Sequence, residues 1–349
     1  MSVTIRDVAR RAQVSISTVS RVLNDTCRVS EEKRRRVLEA AEQLGYRPNP
    51  VARSLLTKET GALGVVVPFV FGEFFAELLN GIDAAAQERA FCLTISTSHR
   101  HEHELRAALQ SLHKRVDGVL LMTPEMPGEQ AVAHLPEDVP VVFLNTRLSG
   151  DGYAVVNFDN AGGFRALTRH LIALGHRRIA VITGPEAAFD AAERLRGYRM
   201  ALEEAGMAFD PAWLIPGDYS QRAGYEAVQT LLAWPERPTA ILASNDQMAF
   251  GALSALREAG LRVPEDVSLA GFDDVPSARY TVPSLTSARV PIRDLGARAV
   301  QCLVDHIQAE TPPAPRSLVL PVDLVVRDST APVGGRLHTA AIEPTARKA

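Results

Sequence analysis

Cysteine is scarce in this chain: Cys27, Cys92 and Cys302 lie far apart among 349 residues. So sparse and odd a set argues against a disulfide framework and a Cys-type zinc site, and it fits a reducing compartment. Long apolar runs are missing, and none approaches the ~20 residues that a membrane span needs. The N-terminus, Met1-Ser2-Val3-Thr4-Ile5-Arg6-Asp7, has no apolar signal core. The expected location is therefore the cytoplasm, with no membrane partner. Catalytic sets are lacking too. Gly150-Asp151-Gly152 reads as a turn and Gly162-Gly163 as a helix opening, and neither makes the glycine-rich loop of a nucleotide enzyme. No Ser-His-Asp or paired-carboxylate constellation stands out, so neither an enzyme nor a cofactor is expected. His99, His101 and His103 alternate as metal ligands can, but Glu102 and Glu104 interleave them, and a solvated loop is the expectation.

What is present is ordinary globular material. Hydrophobic residues make up 46% and charged residues 23%, which excludes disorder, collagen and coiled coil as the dominant state. The length suggests about two domains. The net charge of −3 hides an asymmetry: residues 1–60 hold 12 Lys/Arg and 7 Asp/Glu, and the remainder holds 26 against 34. A basic head on an acidic body suggests that the head meets a polyanion.

In the head, Thr4 can cap a helix with Asp7 three residues on, and Ile5, Val8, Ala9 and Ala12 form one apolar stripe. Gln13-Val14-Ser15 interrupts it, and Ser15 can cap a second short helix. There Val19, Val22 and Leu23 face inward, while Ser17, Ser20, Arg21 and Asn24 share the opposite face. Ser30 can cap a third helix with Glu31 and Glu32 in its first turn, Val37, Leu38, Ala41 and Leu44 as its stripe, and Gly45 at its end. Two short helices across a three-residue turn, backed by a third, describe a helix-turn-helix. The polar face suits a DNA major groove: Arg bonds guanine, Asn suits adenine, and Ser meets bases or phosphates. Asn49 and Pro50 then open a helix of about eight residues, below the ~12–15 at which an isolated helix becomes marginal.

Val3-Thr4-Ile5-Arg6-Asp7-Val8-Ala9, Val14-Ser15 through Thr18-Val19-Ser20-Arg21-Val22-Leu23-Asn24, and Gly45-Tyr46-Arg47-Pro48-Asn49 with Ala52-Arg53-Ser54-Leu55 closely resemble the head of LacI/GalR-family transcriptional repressors. The resemblance implies that Ile16, Ser17 and Arg21 read base edges, within a DNA-contact set of Ser15, Ile16, Ser17, Thr18, Ser20, Arg21, Asn24, Ala52 and Leu55. It also implies a hinge helix over residues 50–57, with Leu55 as a wedge in the minor groove.

Beyond Gly61, apolar runs alternate with helical segments. Strands are expected at Ala62–Val67, Phe91–Ile95, Gly118–Met122, Val139–Leu144, Arg178–Thr183, Thr239–Ala243 and Val267–Phe272. Between them come helices such as Phe74–Arg89, Glu102–Lys114, Gly162–Leu174, Ala191–Ala205, Tyr219–Trp234 and Gln247–Ala259. Alternation predicts parallel sheets, and a loose repeat of the unit at Gly64 near Ile179 suggests two doubly wound lobes. Ligands in such folds bind beyond the C-terminal strand ends. Leu174-Gly175-His176-Arg177-Arg178, Ser244-Asn245-Asp246-Gln247-Met248 and Gly271-Phe272-Asp273-Asp274 extend the family resemblance to about residue 328, over a body similar to periplasmic sugar-binding proteins.

The resemblance implies an effector site from Phe74, Asn145, Phe158, Asp159, Arg194, Tyr219, Asn245 and Asp273. Arg with carboxylates or amides satisfies adjacent hydroxyls, and aromatic rings cover a sugar's C–H face. Asn145 stands where sugar-responsive members often carry an acid. Each residue also has a plain structural role open to it, such as a helix cap for Asp273 or core packing for Phe74.

The expected organisation is a DNA-binding head over 1–48, a hinge over 49–60, and a ligand-binding and dimerisation body over 61–330. Lobe 1 would hold 61–160 and 291–320, and lobe 2 would hold 161–290 and 321–330. A flexible tail is expected over 331–349, and its want of a heptad pattern favours a homodimer over a coiled-coil tetramer. The whole reads as a repressor on a palindromic double-stranded DNA operator, controlled by a small molecule, most simply a carbohydrate. An activator or dual regulator would share this architecture. A transport binding protein or an enzyme would need a signal peptide or a catalytic set in place of the DNA head.

Overall fold

A computed structural model describes residues 3–24, 29–46, 59–148, 152–309, 311, 314 and 316–334. The chain divides into two units, Met1–Gly61 and Ala62–Ala349.

The first unit carries α1 (Ile5–Ala12), α2 (Ile16–Asn24) and α3 (Glu31–Gln43). The Asp7 carboxylate accepts from the Thr4 N–H at 3.0 Å and the Thr4 hydroxyl at 2.7 Å, which fixes the entry to α1. Gln13, left-handed at φ 52°, ends that helix. The Arg36 guanidinium donates to the Ala12 and Gln13 carbonyls that a helix end leaves open. Ser15 Oγ accepts the Thr18 N–H at 3.1 Å and starts α2. Ser30 makes no such bond at α3; the acids Glu31 and Glu32 in its first turn complement the helix dipole instead. Val8, Ala9, Ala12, Val19, Val22, Val37, Ala40 and Ala41 are buried together. Leu38, expected inside, is exposed. It lies about 100° round the helix from Val37, and the small Ala40 fills the inward stripe in its place.

The second unit has two six-stranded sheets. One contains β1 (Ala62–Val67), β2 (Cys92–Thr97), β3 (Gly118–Met122), β4 (Val141–Leu144), β5 (Ala154–Phe158) and β11 (Ser317–Leu320), in the order β11-β5-β4-β3-β1-β2. The other contains β6 (Ile179–Ile182), β7 (Leu214–Ile215), β8 (Ala240–Ala243), β9 (Ser268–Asp273), β10 (Thr286–Arg289) and β12 (Asp323–Val325), in the order β12-β10-β9-β8-β6-β7. Pairing is parallel except between β10 and β12. Each sheet therefore opens with a strand flanked by the next two, the doubly wound pattern whose ligands bind at the C-terminal strand ends.

Helices α4 (Glu73–Gln87), α5 (Glu102–Leu112), α6 (Gly128–Val132) and α11 (Ile292–Gln308) belong to the first sheet. Helices α7 (Asn160–Ala173), α8 (Phe189–Glu204), α9 (Gln221–Leu232) and α10 (Asp246–Glu258) belong to the second. The chain passes between the lobes after Phe158, after Arg289 and after Leu320. Among the described residues no helix is long and apolar enough to cross a membrane.

All seven strands read from the sequence form, with ends shifted by up to two residues. β5, β7, β10, β11, β12, α6 and α11 fall outside the expected runs. β7 is two residues long, and β10 reads Thr-Ser-Ala-Arg, with no β-branched apolar run to announce it. One expectation is corrected. Ala331, placed in a flexible tail, is buried and hydrogen-bonds to Ser268 and His176, and the Val333 N–H donates to Leu174 O. The packed body thus runs past 330. Residues 335–349 and the expected hinge over 47–58 lie outside the described residues.

Candidate functional site

Two sets of side chains carry chemistry. In the head, the start of α2 presents Ser15, Ile16 and Ser17 in exposed positions, with Arg21 one turn further along. Ile16 is 46% exposed. The hydroxyls of Ser17 and Thr18 both lie 2.8 Å from Ser15 Oγ. This shared bond draws three short polar side chains into one cluster, which leaves a low surface that a groove can approach.

In the body, a cavity of about 350 Å³ opens between the lobes. Lobe 1 supplies apolar rings from the loop after β1 and the start of α4. Phe69 stacks on Phe71 at 4.3 Å, Phe75 meets Phe69 edge-on at 4.7 Å, and Phe74 meets Phe75 at 5.4 Å. Lobe 2 supplies polar groups from the ends of its strands and the helices that follow, among them Asp190, Arg194, Tyr219, Asn245 and Asp273. The packing allows little play. A Cβ on Gly184 would stand 2.3 Å from the Tyr219 ring, and one on Gly197 would stand 2.2 Å from the Ala161 carbonyl. These glycines let the ring and α8 come in close.

Arg194, 3% exposed, is the centre of the polar wall. Its Nε donates to Asn160 Oδ1 at 2.9 Å and its Nη1 to the Ser244 carbonyl. Its Nη2 lies 3.8 Å from Asp190 Oδ2 and 3.7 Å from Asp273 Oδ1. Its guanidinium sits over the Phe272 ring at 4.1 Å. Burial works against the charge of Arg194, but the surrounding acids outweigh it and raise its pKa. Asn160 Nδ2 donates to Asn145 Oδ1 at 3.0 Å, and Asn145 Nδ2 reaches Asp190 Oδ2 at 3.3 Å. The chain of bonds thus spans both lobes. Asp273 is buried, and its Oδ1 has no hydrogen-bond partner. Burial pushes its carboxyl up to about 7 against the pull of Arg194, with the charge of Asp190 adding to the rise. The buried Tyr219 hydroxyl also lacks a partner, and burial raises it well above the usual phenol. Asn145, Tyr219 and Asp273 all have positive φ, at 46°, 72° and 106°. Backbone strain of this kind gathers at ligand sites.

Residues 4–49 match the model for bacterial regulatory proteins of the lacI family, and residues 168–330 match a periplasmic binding protein-like domain. The HTH-type transcriptional repressor PurR of Escherichia coli O139:H28 (strain E24377A / ETEC) is 39% identical over 333 residues, or 94% of this chain and 97% of that one. The chain belongs to the lacI family. The lac repressor dimer bound to operator and the anti-inducer ONPF is 32% identical, with a TM-score of 0.85, over 95% of this chain and all of that one. The transcriptional regulator CelR in complex with cellobiose is 35% identical, with a TM-score of 0.72, over 94% and 99%. As a lacI-family protein the chain is a DNA-binding transcriptional repressor with a small-molecule effector domain, and it is not an enzyme.

Of the residues that the lacI-family resemblance singled out in the body, Phe74, Arg194, Tyr219, Asn245 and Asp273 line the cavity. Asn145 is buried behind it, on Asp190 and Asn160. Phe158 is buried between Phe74 and Phe272, at 6.3 Å and 6.5 Å. Asp159 is exposed and caps α7, where its Oδ1 accepts the Gly162 N–H at 2.8 Å; its chemistry is that of a helix cap. Asn245 has a scaffold role as well. It caps α10 through the Met248 N–H at 2.9 Å and donates to the Tyr219 carbonyl at 3.0 Å. In the head, Ser20 is half-buried, and Ala52 and Leu55 lie outside the described residues.

Sequence reasoning passed over Phe69, Phe71, Glu125, Asp190, Gln221 and Gln247, which also line the cavity. Two signals were there to find. Asp190 stands one helical turn before Arg194, hence on the same face. Phe69 and Phe71 directly follow β1, at the strand end where this fold places its ligands.

Proposed function

We propose that this lacI-family repressor binds a palindromic operator as a homodimer in the cytoplasm and is controlled by a sugar or sugar derivative held between its lobes. The observation that carries the effector reading is the division of the cavity, with phenylalanine rings from lobe 1 facing Arg194, Asn245 and Asp273 from lobe 2. A pyranose has the matching division, with C–H faces for rings and edge hydroxyls for charged and amide groups. The head reads bases through Ile16, Ser17 and Arg21, with Ser15, Thr18, Ser20 and Asn24 beside them and Ala52 and Leu55 in the hinge. A ligand that prefers one lobe arrangement shifts operator affinity by its differential affinity for the two, typically about 1–3 kcal/mol, and DNA shifts ligand affinity by the same factor.

The test is a thermal-shift screen of the full chain against neutral and derivatised sugars, repeated with Arg194→Ala, followed by operator binding with and without each hit. A hit that changes operator affinity in the parent protein and is lost in Arg194→Ala supports the reading. A hit that acts equally on both proteins refutes the cavity assignment. Sedimentation of the full chain as a stable tetramer at micromolar concentration refutes the dimer.

A further inference from the structure

The charge balance of the cavity restricts the ligand further. Among the described lining residues Arg194 is the one cation, against the acids Glu125, Asp190 and Asp273. Glu125 is neutralised from outside the lining, by Arg100 at 2.9 Å. Asp190 and Asp273 are left to share a single guanidinium. They are 6% and 4% exposed, so water does little to screen them.

Arg194 is poorly placed to receive an anion. Binding a carboxylate or phosphate well needs two parallel N–H groups of the guanidinium fork. Here Nε is held by Asn160 and Nη1 by the Ser244 carbonyl, and Nη2 already lies between the two acids. An anion at this end would meet two carboxylates and no free fork. The opposite need is plain in Asp273: its Oδ1 is buried and accepts no hydrogen bond, and the Tyr219 hydroxyl is buried without a partner. The Asp273 acceptor at the cavity wall stands ready for a donor from the ligand, while the Tyr219 hydroxyl can donate or accept. Asp190, in contrast, is already bonded, to the Ala191 N–H at 2.9 Å and to Asn145.

A neutral hydroxyl would satisfy Asp273 Oδ1 and leave the negative excess in place. A protonated amine does both: it donates to the acceptor, brings a positive charge that favours the ionised form of Asp273 beside Asp190, and is drawn to the aromatic faces that line the same space. We propose that the group seated against Asp273 is a protonated amine, so that the effector is an amine-bearing sugar or polyol and not a sugar acid or sugar phosphate. This rests on the interlobe cavity being the effector site.

The test is calorimetric titration of the full chain with matched sets built on glucose, galactose and mannose: the hexose, its 2-amino-2-deoxy analogue, its uronic acid and its 6-phosphate. In any set that binds, the amine is expected to be about tenfold tighter than the neutral sugar, the difference between a charge-assisted and a neutral hydrogen bond. The acid and the phosphate are expected to be weakest. Asp273→Asn should erase the preference for the amine. A neutral or anionic member that binds as tightly as its amine overturns the proposal, as does a screen in which no amine-bearing member binds. Binding that keeps its rank order but survives Arg194→Ala refutes the cavity as the site, a failure distinct from that of the amine.

Discussion

In the head, Ile16, Ser17 and Arg21 stand in solvent on a frame whose buried residues are valines and alanines. In the body, Arg194, Asp190 and Asp273 are almost wholly buried among bonded neighbours. The head meets a large, fixed, charged surface, so its side chains need only be presented. The body must surround a small molecule, so its polar groups are taken out of water and held by other polar groups. Function thus sits apart from stability in the head and is bound up with it in the body.

The sharpest way to break that comparison is Arg194→Ala. It strands Asp190 and Asp273 without their shared cation, and the body should lose about 3–5 kcal/mol of stability along with its ligand response. Denaturant unfolding of the parent and variant measures this, and a loss as small as that of a surface substitution would contradict the coupling. Next comes Gly251→Ala. Its Cβ would fall 1.8 Å from the Gln221 carbonyl, where α9 and α10 cross, so the helices must part, at about 1–3 kcal/mol. The same displacement carries Gln221 and Tyr219 with it, so ligand affinity should fall together with the melting temperature.

Arg21→Ala should leave melting within about 0.5 kcal/mol of the parent, as exposed positions do. It should weaken specific operator binding by about 1–3 kcal/mol and relax preference at one base pair per half-site. Binding to operator and to random DNA at one salt concentration decides it, since equal losses on both would mean that Arg21 touches only phosphate. The last effect is spread across pH. The folded carboxyl of Asp273 titrates near 7 against an ordinary 3.8. Below about pH 4 it is protonated in both states and contributes nothing. As pH rises from there to about 7, only the unfolded chain gives up the proton, so stability falls with pH, by at most about 1.4 kcal/mol per unit. Asp273→Asn should flatten that slope in melting curves taken from pH 4 to 8.

The same contrast explains what could be read from the sequence. In the head, periodicity and capping residues gave three helices and their inward faces, with Leu38 and Ser30 as the local misses. Local rules suffice where each helix is short and the core is small. In the body, strands with β-branched runs were plain, while β10, fully buried at Thr286, Ser287 and Ala288 yet weakly apolar, depends on its neighbours for its form. The cavity was only partly legible. Arg194 and Asp273 came from family position, and Asp190 lies one helical turn from Arg194, but Glu125 and the Phe69–Phe71 pair meet that wall only through folding of two lobes. No spacing in the chain links residue 69 to residue 273.

Asn245 and Arg194 hold up the scaffold as well as forming the polar wall, with Asn160 bonded behind Arg194, so a change at any of them is judged first by whether the protein still folds. The loop at Val70 and Phe71 is different: its side chains are 55% and 67% exposed, and the loop meets the cavity from the apolar side. A lineage that must answer to a new molecule can vary this loop with little loss of viability. Descendants would then keep the polar wall and diverge in the aromatic one, and a library aimed at a redesigned biosensor belongs at Phe69, Phe71 and Phe74 before it touches the residues opposite.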